Sequence, residues 1–177
     1  IPRKVFVILL LITLSGALFR LFLVAQTPKI YFDEDLYENM AANIARESKS
    51  CICNQGWENS CSDCILNKDP SAHPFMLSML FRLFGIGHLT TQAYSATIAA
   101  FSSILIFLCG YLLFRKDYRA GILAALLLNL TPVFNLWSNT FTAENSLTFL
   151  SLLVFFCVLM FRESENPALF FLFAGVS

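Results

Sequence analysis

The chain has 177 residues, of which 57% are hydrophobic, 15% aromatic and 14% charged, and its formal net charge is zero. A soluble globular domain carries about 25% charged residues, so this composition argues against a water-soluble fold, and no basic excess points to nucleic acid. Nineteen Phe and long Leu-rich runs place the chain in the membrane class, and the expected fold is an all-α polytopic membrane protein.

Arg3-Lys4 precede an apolar run from Val5 to Ala25, about the length that crosses a bilayer. A cleavable signal has a shorter apolar core and a small-residue cleavage site. This run is long, contains Arg20 and ends at Ala25-Gln26-Thr27-Pro28, so it reads as a retained span. Three more runs, 89–114, 120–137 and 146–161, are long enough to cross or nearly so, and another begins near 167. The chain therefore reads as the N-terminal portion of a larger protein with four to five spans here. Its expected parts are a first span (1–25), a loop segment (26–88) and a membrane portion (89–177).

Orientation follows from basic residues beside the spans. Arg3-Lys4 put the N-terminus in the cytoplasm, and the cluster Arg115-Lys116-Asp117-Tyr118-Arg119 belongs there too. An even number of crossings must separate them. The apolar stretch Phe75–Phe84 is too short to cross, so it is expected to lie along the interface. Residues 26–88 and a short loop at 138–145 then face outward. Segment 26–72 has eight acids against four bases, consistent with an outer loop.

The outer loop opens on Asp33-Glu34-Asp35. Three carboxylates beside a bilayer repel one another and resist leaving water, and an anchor does not need them. Leu36, Met40 and Ile44, with Tyr37 and Ala41 beside them, predict a helix to Arg46. Asp35 and Glu38 have the spacing of a capping box. All three acids suit a helix N-terminus, but Asp33 and Glu34 precede the expected cap and are candidates for chemistry.

Cys51, Cys53, Cys61 and Cys64 follow within 14 residues. In an oxidising compartment they predict two disulfides between the CxC and CxxC pairs; a four-thiolate structural zinc site is the alternative. Cys109 and Cys157 fall inside spans and read as small apolar residues. Ser71-Ala72-His73-Pro74 opens the interfacial stretch, on which Ser78 and Arg82 share a face with Pro74. His73 and Arg82 are candidates for a lipid phosphate; the structural alternatives are a helix cap for His73 and snorkelling for Arg82. Glu144, at the start of the fourth span, suits a helix N-terminus or a second carboxylate facing the first loop.

These features, in this order, resemble the GT-C glycosyltransferases that use polyprenyl-phosphate sugars, a group including the protein O-mannosyltransferases and the aminoarabinose transferases of lipid A. The matching pieces are Arg20-Leu21, Phe32-Asp33-Glu34-Asp35-Leu36-Tyr37, His73-Pro74-Phe75, Arg82-Leu83-Phe84-Gly85, Arg115-Lys116, the run 120–128, Thr131-Pro132 and Thr142-Ala143-Glu144-Asn145. The resemblance implies an acidic base in the first outer loop, which falls on Asp33 with Glu34 beside it, and a second acid at Glu144. It implies two helices lying along the membrane, here 35–46 and 74–84. His73, Arg82, Lys68, Tyr37 and Asn145 are the candidate substrate contacts. Some members have Lys-Pro-Pro where this chain has Ala72-His73-Pro74, which puts the lysine contact in doubt, and the four-cysteine insert is not a general feature of the group.

The expected reaction moves a sugar from a polyprenyl phosphate to a protein or lipid acceptor at the extracytoplasmic face of the cell or endoplasmic reticulum membrane. The leaving group is an anionic lipid phosphate needing electrostatic stabilisation; the acceptor hydroxyl needs a base within hydrogen-bond reach. No cofactor is required. If a divalent metal takes part, Asp33, Glu34 and Glu144 are the expected oxygen ligands. A transporter, or a membrane scaffold with a stapled outer loop, is the alternative. The spans 89–114 and 120–137 hold no charged side chain, which favours the enzyme.

Overall fold

The computed structural model describes residues 2–26, 32–53, 64–66, 72–138 and 140–164; side chains of residues 23–26, 32, 33, 53, 64–66 and 164 fall outside that description. Seven helices are described: α1 (Arg3–Gln26), α2 (Phe32–Glu47), α3 (Ala72–Phe84), α4 (His88–Leu113), α5 (Tyr118–Leu130), α6 (Pro132–Ser138) and α7 (Ala143–Ser164). Two short antiparallel strands, β1 (Cys51–Cys53) and β2 (Cys64–Leu66), pair with Cys53 opposite Cys64 and Cys51 opposite Leu66. The all-α expectation holds apart from this ribbon. The bonding of Cys53, Cys61 and Cys64 lies outside the described residues.

α1, α4 and α7 are each long and apolar enough to cross a membrane, and α5 with α6 passes the same test only as a pair bent by 66°, the geometry of a broken span or of a re-entrant loop. These match the four expected spans closely, making this a multi-pass membrane fold; the run from 167 is outside the described residues. The stretch too short to span is indeed a separate helix, α3.

α4 is the central element and packs against α1, α3, α5, α6 and α7. A polar group in hydrocarbon must be satisfied within the protein. Ser102 and Ser103 therefore donate back to the Ile98 and Ala99 carbonyls at 2.9 and 3.0 Å. Leu9, Phe107 and Ala125 join α1, α4 and α5; Cys109, Leu112 and Leu159 join α4 to α7. Cys109 and Cys157 are buried and free, in the apolar role expected of them.

The α5–α6 pair breaks where proline removes a backbone donor. At Thr131-Pro132 the axis turns by 66°. The carbonyls left over are taken up locally: Thr131 donates its hydroxyl to Leu127 O at 2.7 Å and its backbone N–H to Leu128 O at 3.2 Å, and the Asn135 amide donates to Asn129 O at 2.7 Å. The bend thus costs few unsatisfied groups, and it carries α6 across the end of the bundle.

One expectation is corrected here. Asp35 is not a helix cap: α2 begins at Phe32, so all three acids lie in its first turn. Carboxylates complement the positive end of the helix dipole there, which allows the helix to start earlier than the apolar spacing indicated.

α4 and α5 cross closely at glycines. A Cβ on Gly121 would lie 2.7 Å from the Phe107 carbonyl oxygen and 2.9 Å from its ring. Gly121→Val is expected to lower the unfolding midpoint of detergent-solubilised protein, a loss of about 1–3 kcal/mol from overpacking. Gly87→Ala, whose new Cβ meets nothing within 4 Å, should cost less than ~1 kcal/mol. Equal losses at the two positions would refute the close crossing.

Candidate functional site

The site is assembled where α2, α3 and the turn before α7 meet. Arg20 fixes one side of it. This guanidinium is 1% exposed, donates from Nε to Ser138 Oγ at 2.7 Å and from Nη2 to Asn129 Oδ1 at 3.0 Å, and lies 4.8 Å from the centre of the Phe134 ring. Asn129 in turn donates to Ser103 Oγ at 3.0 Å. The end of α6 is thereby held against α1 and α4.

The turn beyond Ser138 then reaches α2. The Phe141 N–H donates to Glu34 Oε1 at 3.2 Å, although Glu34 is only 3% exposed. The Phe141 ring stacks on His73 of α3, with centroids 4.0 Å apart and planes 21° from parallel. Tyr37 meets His73 edge-on at 5.4 Å. His73 Nδ1 is 2.7 Å from Ser146 Oγ, which is 3.2 Å from the Tyr94 hydroxyl. His73 Nε2 has no hydrogen-bond partner among the described residues. Burial pulls the imidazole down to about 4, while the Phe141 backbone and the Glu144 charge pull the other way. His73 is therefore neutral at pH 7.

The expected residues fare differently. Glu34, His73 and Tyr37 come together. Glu144 is exposed in the first turn of α7, near enough for its charge to act on His73. Asn145 is buried; its amide donates to Ser95 O at 3.0 Å and so ties α7 to α4, while Oδ1 has no partner among the described residues. The Asp33 side chain and Lys68 lie outside the described residues. Arg82 neither snorkels freely nor faces the site. It donates to Ile44 O at 2.8 Å, Ala45 O at 3.2 Å and Ser48 Oγ at 3.1 Å, capping the C-terminus of α2, where a cation also complements the dipole.

Glu38 and His88 are the residues sequence reasoning missed as site members. Glu38 is 1% exposed, and its Oε1 is 3.4 Å from His88 Nδ1. With Glu34 one turn earlier, the two carboxylates and His88 offer ligand atoms all within 4.8 Å of one another. The i, i+4 spacing of Glu34 and Glu38 puts them on one helix face. That signal was hidden by starting the helix at Asp35.

Residues 68–177 match the family model described as dolichyl-phosphate-mannose-protein mannosyltransferase. The match takes in α3 to α7 and leaves α1 and α2 outside it. No curated protein and no solved structure matches the chain.

Two outcomes test this geometry. Because the folded pKa of His73 is depressed, its contribution to stability is full above the ordinary value of 6.5 and is lost as pH falls from 6.5 through about 4. Thermal unfolding of His73→Gln should depend less on pH across that window than wild type, by at most about 3 kcal/mol; identical profiles would refute the burial argument. Arg82→Ala should cost about 1 kcal/mol of stability and leave the KM for a polyprenyl-phosphate donor unchanged, whereas loss of a phosphate ligand would raise KM.

Proposed function

This chain belongs to the dolichyl-phosphate-mannose-protein mannosyltransferase family, and we propose that it transfers a mannosyl group from a polyprenyl-phosphate donor to a protein hydroxyl at the extracytoplasmic face of its membrane. Membership makes it a membrane glycosyltransferase of GT-C type. The donor, acceptor, face and residue roles are our reading.

The observation that carries this reading is the hydrogen bond between the Phe141 N–H and Glu34, with His73 stacked on the same Phe141. It joins the acidic first turn of α2 to the turn before α7, two segments far apart in sequence. Acids, imidazole and the Glu144 end of α7 thereby form one neighbourhood rather than separate loops.

In the proposed reaction, Asp33 accepts the proton of the acceptor hydroxyl. The hydroxyl oxygen bonds to the anomeric carbon as the bond from that carbon to the phosphate oxygen breaks, with inversion. The lipid phosphate leaves as an anion, so no strong general acid is required. His73 is neutral and enclosed, with Nδ1 against Ser146 Oγ and its ring stacked on Phe141, so we read it as positioning the 140–142 turn rather than touching the phosphate. Glu34 holds the 140–142 turn in place beside the base. Arg82 acts only through α2.

Orientation rests on the basic clusters flanking the spans. The face of α3 bearing Phe75, Met79 and Leu83 is exposed and apolar, as suits a helix lying in the headgroup region. We assign the four cysteines to disulfides that staple the insert, in keeping with an extracytoplasmic loop.

Asp33→Asn is expected to abolish mannosyl transfer from a polyprenyl-phosphate donor while expression and monodispersity remain as in wild type. Undiminished transfer by that variant would overturn the assignment of the base.

A further inference from the structure

We propose that Glu34, Glu38 and His88 form a binding site for one divalent cation of the manganese or zinc class, a set that shares Glu34 with the Asp33, Glu34 and Glu144 ligands expected from the sequence. The inference concerns binding and does not depend on the transfer reaction.

The first argument is distance. Glu38 Oε1 and His88 Nδ1 are 3.4 Å apart, longer than the 2.7–3.2 Å usual for N–H···O hydrogen bonds. Two ligands bound at about 2.1 Å on adjacent tetrahedral or octahedral positions of one ion lie roughly 3.0–3.4 Å apart. The pair has the spacing of co-ligands. The whole set stays within 4.8 Å, so a small swing of a carboxylate closes it.

The second argument is burial. Glu34 and Glu38 are 3% and 1% exposed, one helical turn apart on the same helix. Carboxylates four residues apart on one helix face present their oxygens toward a shared point. Glu144 is exposed and outside this set.

The third is the support behind the imidazole. His88 Nε2 is 2.6 Å from the Gln92 side-chain amide. A ligating imidazole donates its remote N–H to a partner that fixes the ring. Rotating the Gln92 amide to present its oxygen supplies that acceptor and frees the Nδ1 lone pair for the ion; amide orientation of this kind is an assignment from hydrogen bonding. Two carboxylates and one imidazole suit Mn²⁺ or Zn²⁺ better than Ca²⁺.

The test uses Mn²⁺, which prefers oxygen and nitrogen ligands, whereas zinc would also be drawn to the free thiols of Cys109 and Cys157. Mn²⁺ is titrated into the purified full chain in detergent and the bound ion is read by electron paramagnetic resonance. Wild type should bind the ion with nitrogen modulation from the imidazole. His88→Gln should erase that modulation and weaken binding at least tenfold, and Gln92→Leu should weaken it about tenfold with the modulation retained. No bound Mn²⁺ in wild type, or unchanged modulation in His88→Gln, would overturn the site. Should His88→Gln not purify as a monodisperse species, Gln92→Leu decides: the tenfold loss supports the site and wild-type affinity overturns it. Mannosyl transfer by Asp33→Asn is measured separately, so failure of the base assignment leaves this result standing.

Discussion

A buried guanidinium in a membrane protein must be hydrogen-bonded by its own chain, and that requirement at Arg20 orders much of what surrounds it. Ser138 and Asn129 meet it at Nε and Nη2 from the two sides of the Pro132 bend, while Nη1 has no partner among the described residues. Without the bend, α6 would continue along the axis of α5 and Ser138 would be carried away from α1. With it, the chain beyond Ser138 is delivered to α2, where Phe141 finds Glu34. The polar seam within the spans and the acidic neighbourhood are therefore linked through one short helix. Glycine at position 16 is part of the same arrangement, since a Cβ there would clash with Asn129 Oδ1 and come 2.9 Å from Arg20 Nη1.

The second tie is between α2 and α3. Arg82 takes up carbonyls at the end of α2, and Ala41, Ala42, Leu77 and Phe81 fill the space between the helices together with Tyr94, Ile98 and Phe141. Small residues on α2 let the helices approach, so the acidic first turn is positioned by packing along the whole pair. The outward face of α3 remains apolar. A pair of this kind behaves as one body with a greasy underside and a carboxylate-bearing end.

Much of this was legible in the sequence. Apolar length alone located α4 at 88–113 against an expected 89–114, and it separated the short α3 from the true spans. Glu34, His73 and Tyr37 are each candidate site residues in the sequence, and their meeting around Phe141 is what the structure adds. What failed did so for identifiable reasons. The helix start was set by apolar spacing, which ignored that acids themselves stabilise a first turn, and this hid Glu38. Pro132 stood out only as part of the Thr131-Pro132 motif, and the bend it causes was not anticipated. His88 carried no motif, and its pairing with Glu38 depends on how α4 returns past α2. Arg82 was assigned by its neighbours in sequence, whereas its partners are on another helix.

The bent pair has a consequence for depth. α5 has 13 residues, about 20 Å of rise against roughly 30 Å of hydrocarbon. α6, inclined by 66°, adds only about 4 Å of height over its seven residues. The two pieces together rise about 24 Å, less than a straight helix of the same residues would, and the bend turns that difference into a sideways reach that sets α6 against α4 and α7.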